Sequence, residues 1–261
     1  MNKKYELTEE TIVHNGKTLY RIKALKDFGY VKKGDFGGFV QGEHNLSHDG
    51  NCWIYDNAIV CNNARASGNA IVSGNVEICD NAIVCNNAIV RDNAIVCNRV
   101  LVCNNAVVRG NAIVRDNARV SDIARVGDNT EVYDDAIVRD NAEIRDDAVV
   151  GGNVEVRDNA KVCNNAIVFG RAVVCNNAKI RENAYIENNN DFLCIGQIGS
   201  RNDYTTFYLD QDKNIHVSCG CFNGTIDKFE KAVEKTHGDN KYGKQYKIAI
   251  ETVERMLALD N

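Results

Sequence analysis

A six-residue unit repeats through residues 56–187 without an insertion or a deletion. Stepping by six from residue 58 to residue 184 gives Ala at almost every stop. Two residues further on, from 60 to 186, the position is Val or Ile except at Ala66. A pair drawn mostly from Asp, Asn and Gly precedes each small residue. Strict periodicity of this kind indicates a solenoid and takes precedence over local preferences.

The period has a direct physical interpretation. Side chains alternate along a strand, so Ala58 and Val60 point to one face and Ile59 to the other. Asp, Asn and Gly tolerate positive φ and turn the chain. Three such sides close a coil of eighteen residues, and successive coils stack in parallel about 4.8 Å apart. The sequence therefore predicts an all-β solenoid, a left-handed parallel β-helix of hexapeptide repeats with about eight coils of eighteen residues, counted from Leu46.

Changes in pattern divide the chain into three regions. Residues 1–51 are predicted to form a β-hairpin cap turning at Asn15-Gly16, and residues 52–189 the β-helix. Residues 190–261 lose the period and are predicted to form a small α+β module. It has three short strands, a helix with Thr225 as its N-cap, and a second helix over 244–259 with Met256 on its apolar face.

The segment leading into the repeats carries a specific resemblance. It contains the Val-Lys-x-Gly run at 31–34, Gly37-Gly38, Leu46-Ser47 and the string Cys-Trp-Ile-Tyr-Asp at 52–56. These features resemble the YdcK-type bacterial hexapeptide-repeat proteins, a family labelled as acetyltransferases. The resemblance implies a CoA-dependent acyltransferase as one alternative. The C-terminal region resembles a module of phage and prophage proteins, which raises a phage inhibitor or sequestering protein, acting on a host factor or its small-molecule signal, as another.

The distribution of histidine argues against catalysis in the repeats. None of the five histidines lies within residues 56–187, and no loop interrupts the coils there. Related β-helix acyltransferases use a catalytic histidine and loops that hold acetyl-CoA, so the body lacks both the general base and the cleft. We therefore expect no catalytic residue, no cofactor and a non-catalytic protein.

Composition narrows the range of partners and compartments. A net charge of −5 gives no attraction to nucleic acid or to an anionic membrane, and neither is expected as a partner. No apolar stretch reads as a signal peptide or a membrane span. The eleven cysteines fall largely at one repeat position and are expected to be reduced thiols in a cytoplasmic protein.

Outward-facing residues of the repeats predict self-association. A long apolar row on the surface of a rod marks a contact face, and we expect a homotrimer or a homodimer. Glu77 and Glu131 interrupt the row and are expected to meet Arg or Lys of a neighbouring subunit or to lie at the rim of the contact. A second face starts apolar at Trp53 and is expected to receive a partner or the C-terminal module on its first coils. The predicted oligomer face is Ile59, Ile95, Ile113, Val149, Ile167 and Tyr185.

Candidate binding residues lie mainly in the C-terminal module. The polar loop Arg201, Asn202, Asp203 and Tyr204 is the expected contact for a small ligand or a protein partner. Cysteine and histidine can bind soft metals. The cysteines and histidines of the module are weak candidates for a shared metal site, because His237 is predicted about 18 Å from the cysteines along the helix. We therefore favour packing in the core of the module as the role of these cysteines and histidines, and expect no bound metal. The weak candidates are Cys219, Cys221, His216 and His237.

Cysteines also stack at the corners of the predicted coils. Cys61, Cys79 and Cys97 share one corner, and Cys85 and Cys103 share another. No histidine joins either stack, so packing is again favoured over metal binding. Together these patterns predict a β-helix scaffold that self-associates and presents its C-terminal module to an unknown protein partner or small molecule.

Overall fold

In the computed structural model, which describes residues 3–257, each hexad forms a two-residue strand and a corner. Ala58 and Val60 are fully buried, whereas Ile59 between them faces outward. Asp56 and Asn62 occupy the corners on either side, with φ of 55° and 57°. The left-handed parallel β-helix of about eight coils predicted from the period is therefore confirmed, with small and branched residues alternating in its core.

The β-helix strands, β4 to β26 in chain order, build three parallel sheets. The first sheet contains Ile59–Val60, Glu77–Ile78, Ile95–Val96, Ile113–Val114, Glu131–Val132, Val149–Val150, Ile167–Val168 and Tyr185–Ile186. The second contains Trp53–Ile54, Ile71–Val72, Ile89–Val90, Val107–Val108, Arg125–Val126, Glu143–Ile144, Lys161–Val162 and Lys179–Ile180. The third contains Arg65–Ala66, Ile83–Val84, Leu101–Val102, Arg119–Val120, Ile137–Val138, Glu155–Val156 and Val173–Val174.

The first coil departs from the eighteen-residue period. Leu46 pairs with Ala66, whereas Ile54 pairs with Val72, so two extra residues lie in the bend between Leu46 and Ile54. The prediction that every coil counted from Leu46 has eighteen residues is wrong at this point. Gly50 makes the longer bend possible, because a Cβ atom there would lie 2.1 Å from Gly68 O.

The N-terminal cap is the expected hairpin joined to the first sheet. Strands β1 (Tyr5–His14), β2 (Lys17–Ala24) and β3 (Phe36–Val40) are antiparallel, and β3 then pairs in parallel with Ile59–Val60. A short 3₁₀ helix, Glu43–Asn45, follows. The cap buries Trp53, whose ring packs against Tyr5 and Phe28.

The C-terminal module begins after a 3₁₀ turn at Asn189–Asp191. An antiparallel sheet of β27 (Phe192–Ile198), β28 (Asp203–Leu209), β29 (Ile215–Cys219) and β30 (Phe222–Thr225) carries helices α1 (Ile226–His237) and α2 (Lys241–Leu257). Strand β30 was not predicted. Met256 is exposed rather than packed, and the predicted end of the second helix lies outside the described residues. No helix among residues 3–257 is long and apolar enough to cross a membrane.

The module closes the far end of the β-helix. Tyr208 is fully buried in the core of the last coil, and Lys179 N donates to Thr206 Oγ1 at 3.0 Å. The expectation that the module docks on the first coils is wrong, because the N-terminal cap already covers Trp53 there.

The two caps supply opposite kinds of hydrogen-bonding group to the β-helix, donors at its first coil and acceptors at its last. Between coils, the N–H of the first residue of each strand and that of the corner residue after the strand donate to carbonyls of the following coil. Ile95 N donates in this way to Ala112 O at 2.9 Å, and Cys97 N to Val114 O at 3.0 Å. The first coil therefore has spare carbonyls and the last coil has spare N–H groups. Tyr5 Oη donates to Leu46 O at 2.8 Å, and Lys4 Nζ donates to Cys52 O at 2.9 Å.

At the C-terminal end, side-chain oxygens accept hydrogen bonds from backbone N–H groups. Thr206 accepts from Lys179 N, and Asn189 Oδ1 accepts from Val173 N at 2.7 Å. Asp191 Oδ2 accepts from the backbone N–H groups of residues 187 and 188 at 2.8 Å each. Side chains thus pair with backbone groups at both ends of the ladder.

Tyr5→Phe and Thr206→Val each remove one of these partners without changing side-chain shape. Both residues are buried, so each change is expected to lower the free energy of unfolding by about 1–3 kcal/mol, the cost of an unsatisfied buried polar group. Tyr30→Phe is the matched control, because Tyr30 is 92% exposed and its change should stay within about 0.5 kcal/mol. Urea denaturation measures all three, and equal stability of Tyr5→Phe and Tyr30→Phe contradicts the capping role.

Candidate functional site

The C-terminal module contains a cleft of about 220 Å³ between the β29–β30 hairpin and the two helices. Phe229 and Val233 from α1 and Tyr246 from α2 are buried beneath it. Arg201, from the loop before β28, stands exposed at its edge. The lining residues are Ser200, Arg201, Cys219, Cys221, Phe222, Phe229, Ala232, Val233, Thr236, His237 and Tyr246.

Chain reversal brings the cysteines and His237 to the same cleft. Cys219 ends β29, Gly220 turns with φ of 58°, and Cys221 precedes β30. The cysteines therefore flank the turn of a β-hairpin. Strand β30 leads away from the turn and α1 returns across the sheet, which places His237 at the turn although it ends the helix.

Polar groups of the cleft contact one another. Cys219 Sγ lies 3.3 Å from Thr205 Oγ1 and 3.6 Å from Tyr246 Oη. Burial, followed by the hydrogen bond with Cys219, raises the pKa of Tyr246 above its ordinary value, so this hydroxyl remains a proton donor at neutral pH. The His237 ring lies 5.8 Å from that of Tyr246.

The predicted loop contributes to the cleft through Arg201 alone. Arg201 Nη2 lies 3.8 Å from Cys221 Sγ, and within residues 3–257 no carboxylate lies at ion-pair distance from its guanidinium. Asn202 is exposed and does not line the cleft. Asp203 faces Lys179 of the last coil at 3.8 Å, and Tyr204 packs over Gly196.

The four weak metal candidates do not share one site. His216 Nε2 lies 3.0 Å from Asp210 Oδ2 and its ring stacks on Tyr208, and His216 is absent from the cleft lining. Among the described residues, Cys219, Cys221 and His237 do not bring three ligand atoms within 4.8 Å of one another.

The predicted oligomer face is interrupted by contacts within the chain. Ile59 packs beneath the hairpin in a cluster with Leu19, Phe39 and Cys61. Glu77 Oε1 lies 2.9 Å from His14 Nε2, and Glu131 Oε1 lies 2.6 Å from Arg115 Nη2. Both carboxylates therefore have partners in their own chain.

The remainder of that face is partly exposed. Ile95 and Ile113 are neighbours in the first sheet, and Val149 and Ile167 form a second pair beyond Glu131. The Tyr185 ring packs edge-on against Phe169 at 4.9 Å between centroids.

One corner of the body gathers two thiols and a carboxylate. Cys79 Sγ, Cys97 Sγ and a carboxylate oxygen of Asp80 lie within 4.8 Å of one another, a grouping not repeated elsewhere in residues 3–257. A hydrogen bond from the Cys79 thiol lowers the pKa of Cys97, and the same bond raises that of Cys79. The repeat predicted that the two cysteines stack, but Asp80 was not predicted to join them. The sequence feature that could have indicated this group is a carboxylate directly after a stacked cysteine.

Comparison with known proteins gives one partial similarity. No protein-family profile matches the chain. The chain is 45% identical over 56 residues to a protein of Escherichia coli (strain K12) named uncharacterized acetyltransferase YdcK. That stretch is 21% of this chain and covers only 17% of the relative. Together with the fold, this similarity fits a hexapeptide-repeat protein with a partial likeness to YdcK.

Proposed function

We propose that this protein is a β-helix scaffold whose C-terminal module binds a small anionic molecule with an apolar body. The observation that carries the proposal is Arg201, a guanidinium without a carboxylate partner among residues 3–257, at the edge of a cleft with an apolar floor. A ligand carboxylate would pair with Arg201 in a charge-assisted hydrogen bond. Its apolar part would rest on Phe229 and Val233.

The dimensions of the cleft restrict the ligand. Sites for drug-sized ligands occupy about 300–1,000 Å³, whereas this cleft has about 220 Å³. A small aromatic or aliphatic acid fits this volume, as does the end of a larger molecule. Tyr246 and His237 supply additional polar contacts near the floor.

The role of the body in this proposal is mechanical. Its coils are uniform from the pairing of Trp53 with Ile71 onward, and residues 56–187 contain no histidine. The module is fixed to the last coil by buried Tyr208 and by the bond from Lys179 N to Thr206. A rigid rod that holds the cleft at one end suits presentation of a binding site better than catalysis within the coils.

Binding of carboxylates should depend on Arg201. Benzoate and short alkanoates are expected to shift the amide resonances of residues around the cleft, whereas the matched neutral amides should not. Arg201→Gln should weaken binding about 10- to 100-fold, because a hydrogen bond to a charged group contributes about 1.5–3 kcal/mol. Arg255→Gln, an equal change of charge at an exposed α2 residue outside the cleft, is the control.

Two-dimensional NMR titration measures this directly. Equal binding of acids and amides, or equal affinity of Arg201→Gln and the parent protein, contradicts an anion-binding cleft.

The scaffold proposal includes self-association through the outward face of the first sheet. Ile95, Ile113, Val149 and Ile167 are its partly exposed apolar members. These side chains are already largely buried within the chain, so burying the remaining surface of each against a neighbour contributes at most roughly 1 kcal/mol apiece. Several such contributions per subunit can offset the entropy lost on association, giving a dimer or a trimer.

Ile95→Lys with Ile113→Lys should abolish the oligomer and leave the fold intact, because the inward valines are unchanged. Ile83→Lys with Ile137→Lys puts the same substitutions on the third sheet and should leave the mass unchanged. Light scattering decides between the variants, and circular dichroism checks the fold. A monomeric parent protein, or an Ile95/Ile113 variant that keeps the parent mass, refutes this interface.

A CoA-dependent acyltransferase is the second candidate. Two observations favour it: the similarity to YdcK, and the His14–Glu77 pair, in which a cap histidine lies against the body. Uninterrupted coils beyond Trp53 offer no loop to hold the cofactor. Acetyl-CoA binding that is lost in His14→Gln but kept in Arg201→Gln would favour this candidate. The sequestering role of a phage protein stays a prediction and would use the same cleft.

A further inference from the structure

We infer that the corner formed by Cys79, Asp80 and Cys97 is a binding site for a soft divalent cation such as Zn²⁺. This site lies in the body of the β-helix and is independent of the cleft in the C-terminal module.

The arrangement follows from the coil register. Ile78 pairs with Val96, so the next residues, Cys79 and Cys97, stand one above the other on adjacent coils. Backbone bonds from Cys79 N to Val96 O and from Cys97 N to Val114 O, both 3.0 Å, fix this register. Two thiols are therefore presented side by side without any loop to order.

Distances among the three groups suit one ion. Zn²⁺ bound to sulfur at about 2.3 Å in a tetrahedron separates two sulfur ligands by about 3.8 Å. Here the three ligand atoms all lie within 4.8 Å, and Cys79 Sγ is 3.6 Å from Asp80 Oδ2. Small rotations of partly exposed side chains would complete the contacts, with a fourth position left to water.

The carboxylate is held in place by neighbouring coils. Asn62 Nδ2 donates to Asp80 Oδ1 at 3.0 Å, and Asn98 N donates to Oδ2 at 3.2 Å. Such contacts orient metal-binding carboxylates. Asp80 also lines an open groove along this corner, which gives an ion access from solvent.

Nearby charges do not displace the cation. Arg115, which follows Cys97 in the same row one coil further on, is engaged by Asp116 and Glu131 at 2.6 Å each. Cys61 on the preceding coil is packed beneath the hairpin and does not join the group. The site is thus limited to two thiolates and one carboxylate.

The chain contains an internal comparison. Cys85 and Cys103 stack in the same way at another corner, but Asn86 and Asn104 follow them and hydrogen-bond to each other at 3.0 Å. Asp80→Asn converts the proposed site into this second type of corner. Asparagine adopts positive φ at many corners of the body, so the variant is expected to fold normally.

Cd²⁺ is the probe for the test, since its thiolate complexes absorb in the ultraviolet. Reduced, metal-free protein titrated under anaerobic conditions should bind one Cd²⁺ tightly, with the charge-transfer absorbance of two thiolates. Cys79→Ala or Cys97→Ala should weaken binding at least about 100-fold, because even changes outside the ligand shell cost about 10- to 100-fold. Asp80→Asn should keep the absorbance but weaken binding.

Two double variants serve as controls for the other thiols. Cys85→Ala with Cys103→Ala, and Cys219→Ser with Cys221→Ser, should each bind Cd²⁺ as the parent protein does. Circular dichroism confirms that each variant is folded. The inference is overturned if the parent protein shows no stoichiometric absorbance, if the absorbance survives Cys97→Ala, or if either control variant loses it.

Discussion

Hydrogen bonds between coils are the constraint on which the structure depends. The N–H of the first residue of each strand and that of the corner residue after it point to the following coil. The first coil therefore has spare carbonyls, and the last coil has spare N–H groups. Leaving such groups buried without partners costs free energy at each position. At the first coil, Tyr5 and Lys4 donate to the spare carbonyls. At the last coil, Thr206, Asn189 and Asp191 accept from the spare N–H groups.

This constraint also determines where chemistry can be placed. Between Trp53 and Ile186 the coils match residue by residue and carry no inserted loop that would form a deep cleft. Binding groups are therefore confined to the caps or to the corners, where a side chain recurs at the same place on the next coil. The cleft of the C-terminal module lies in a cap. Cys79 and Cys97 stack at a corner, where the distance between coils sets the separation of the two thiols.

The repeat could be predicted in detail because its information is local and redundant. Inward Ala and Val, corners with positive φ at Asp56 or Asn62, and the pairing of residues eighteen apart all follow from the hexad. The longer first coil could not be predicted, because the bend after Leu46 does not follow the six-residue pattern. The cleft was only partly foreseen: Arg201, Cys219 and His237 were candidates, but the path of α1 back to the hairpin depends on packing against the sheet. The orientation of Asp80 likewise depends on Asn62 and Asn98, which belong to other coils.

The central claim is that the ladder remains intact to its last coil because the caps complete its hydrogen bonds. Hydrogen exchange of individual backbone amides tests it most directly, at Val173 and Lys179, whose N–H groups bond to side chains after the last coil. The account predicts that both amides exchange as slowly as that of Ile95 in the middle of the body. Exchange at Val173 and Lys179 as fast as in the exposed turn at residues 211–214 would contradict it.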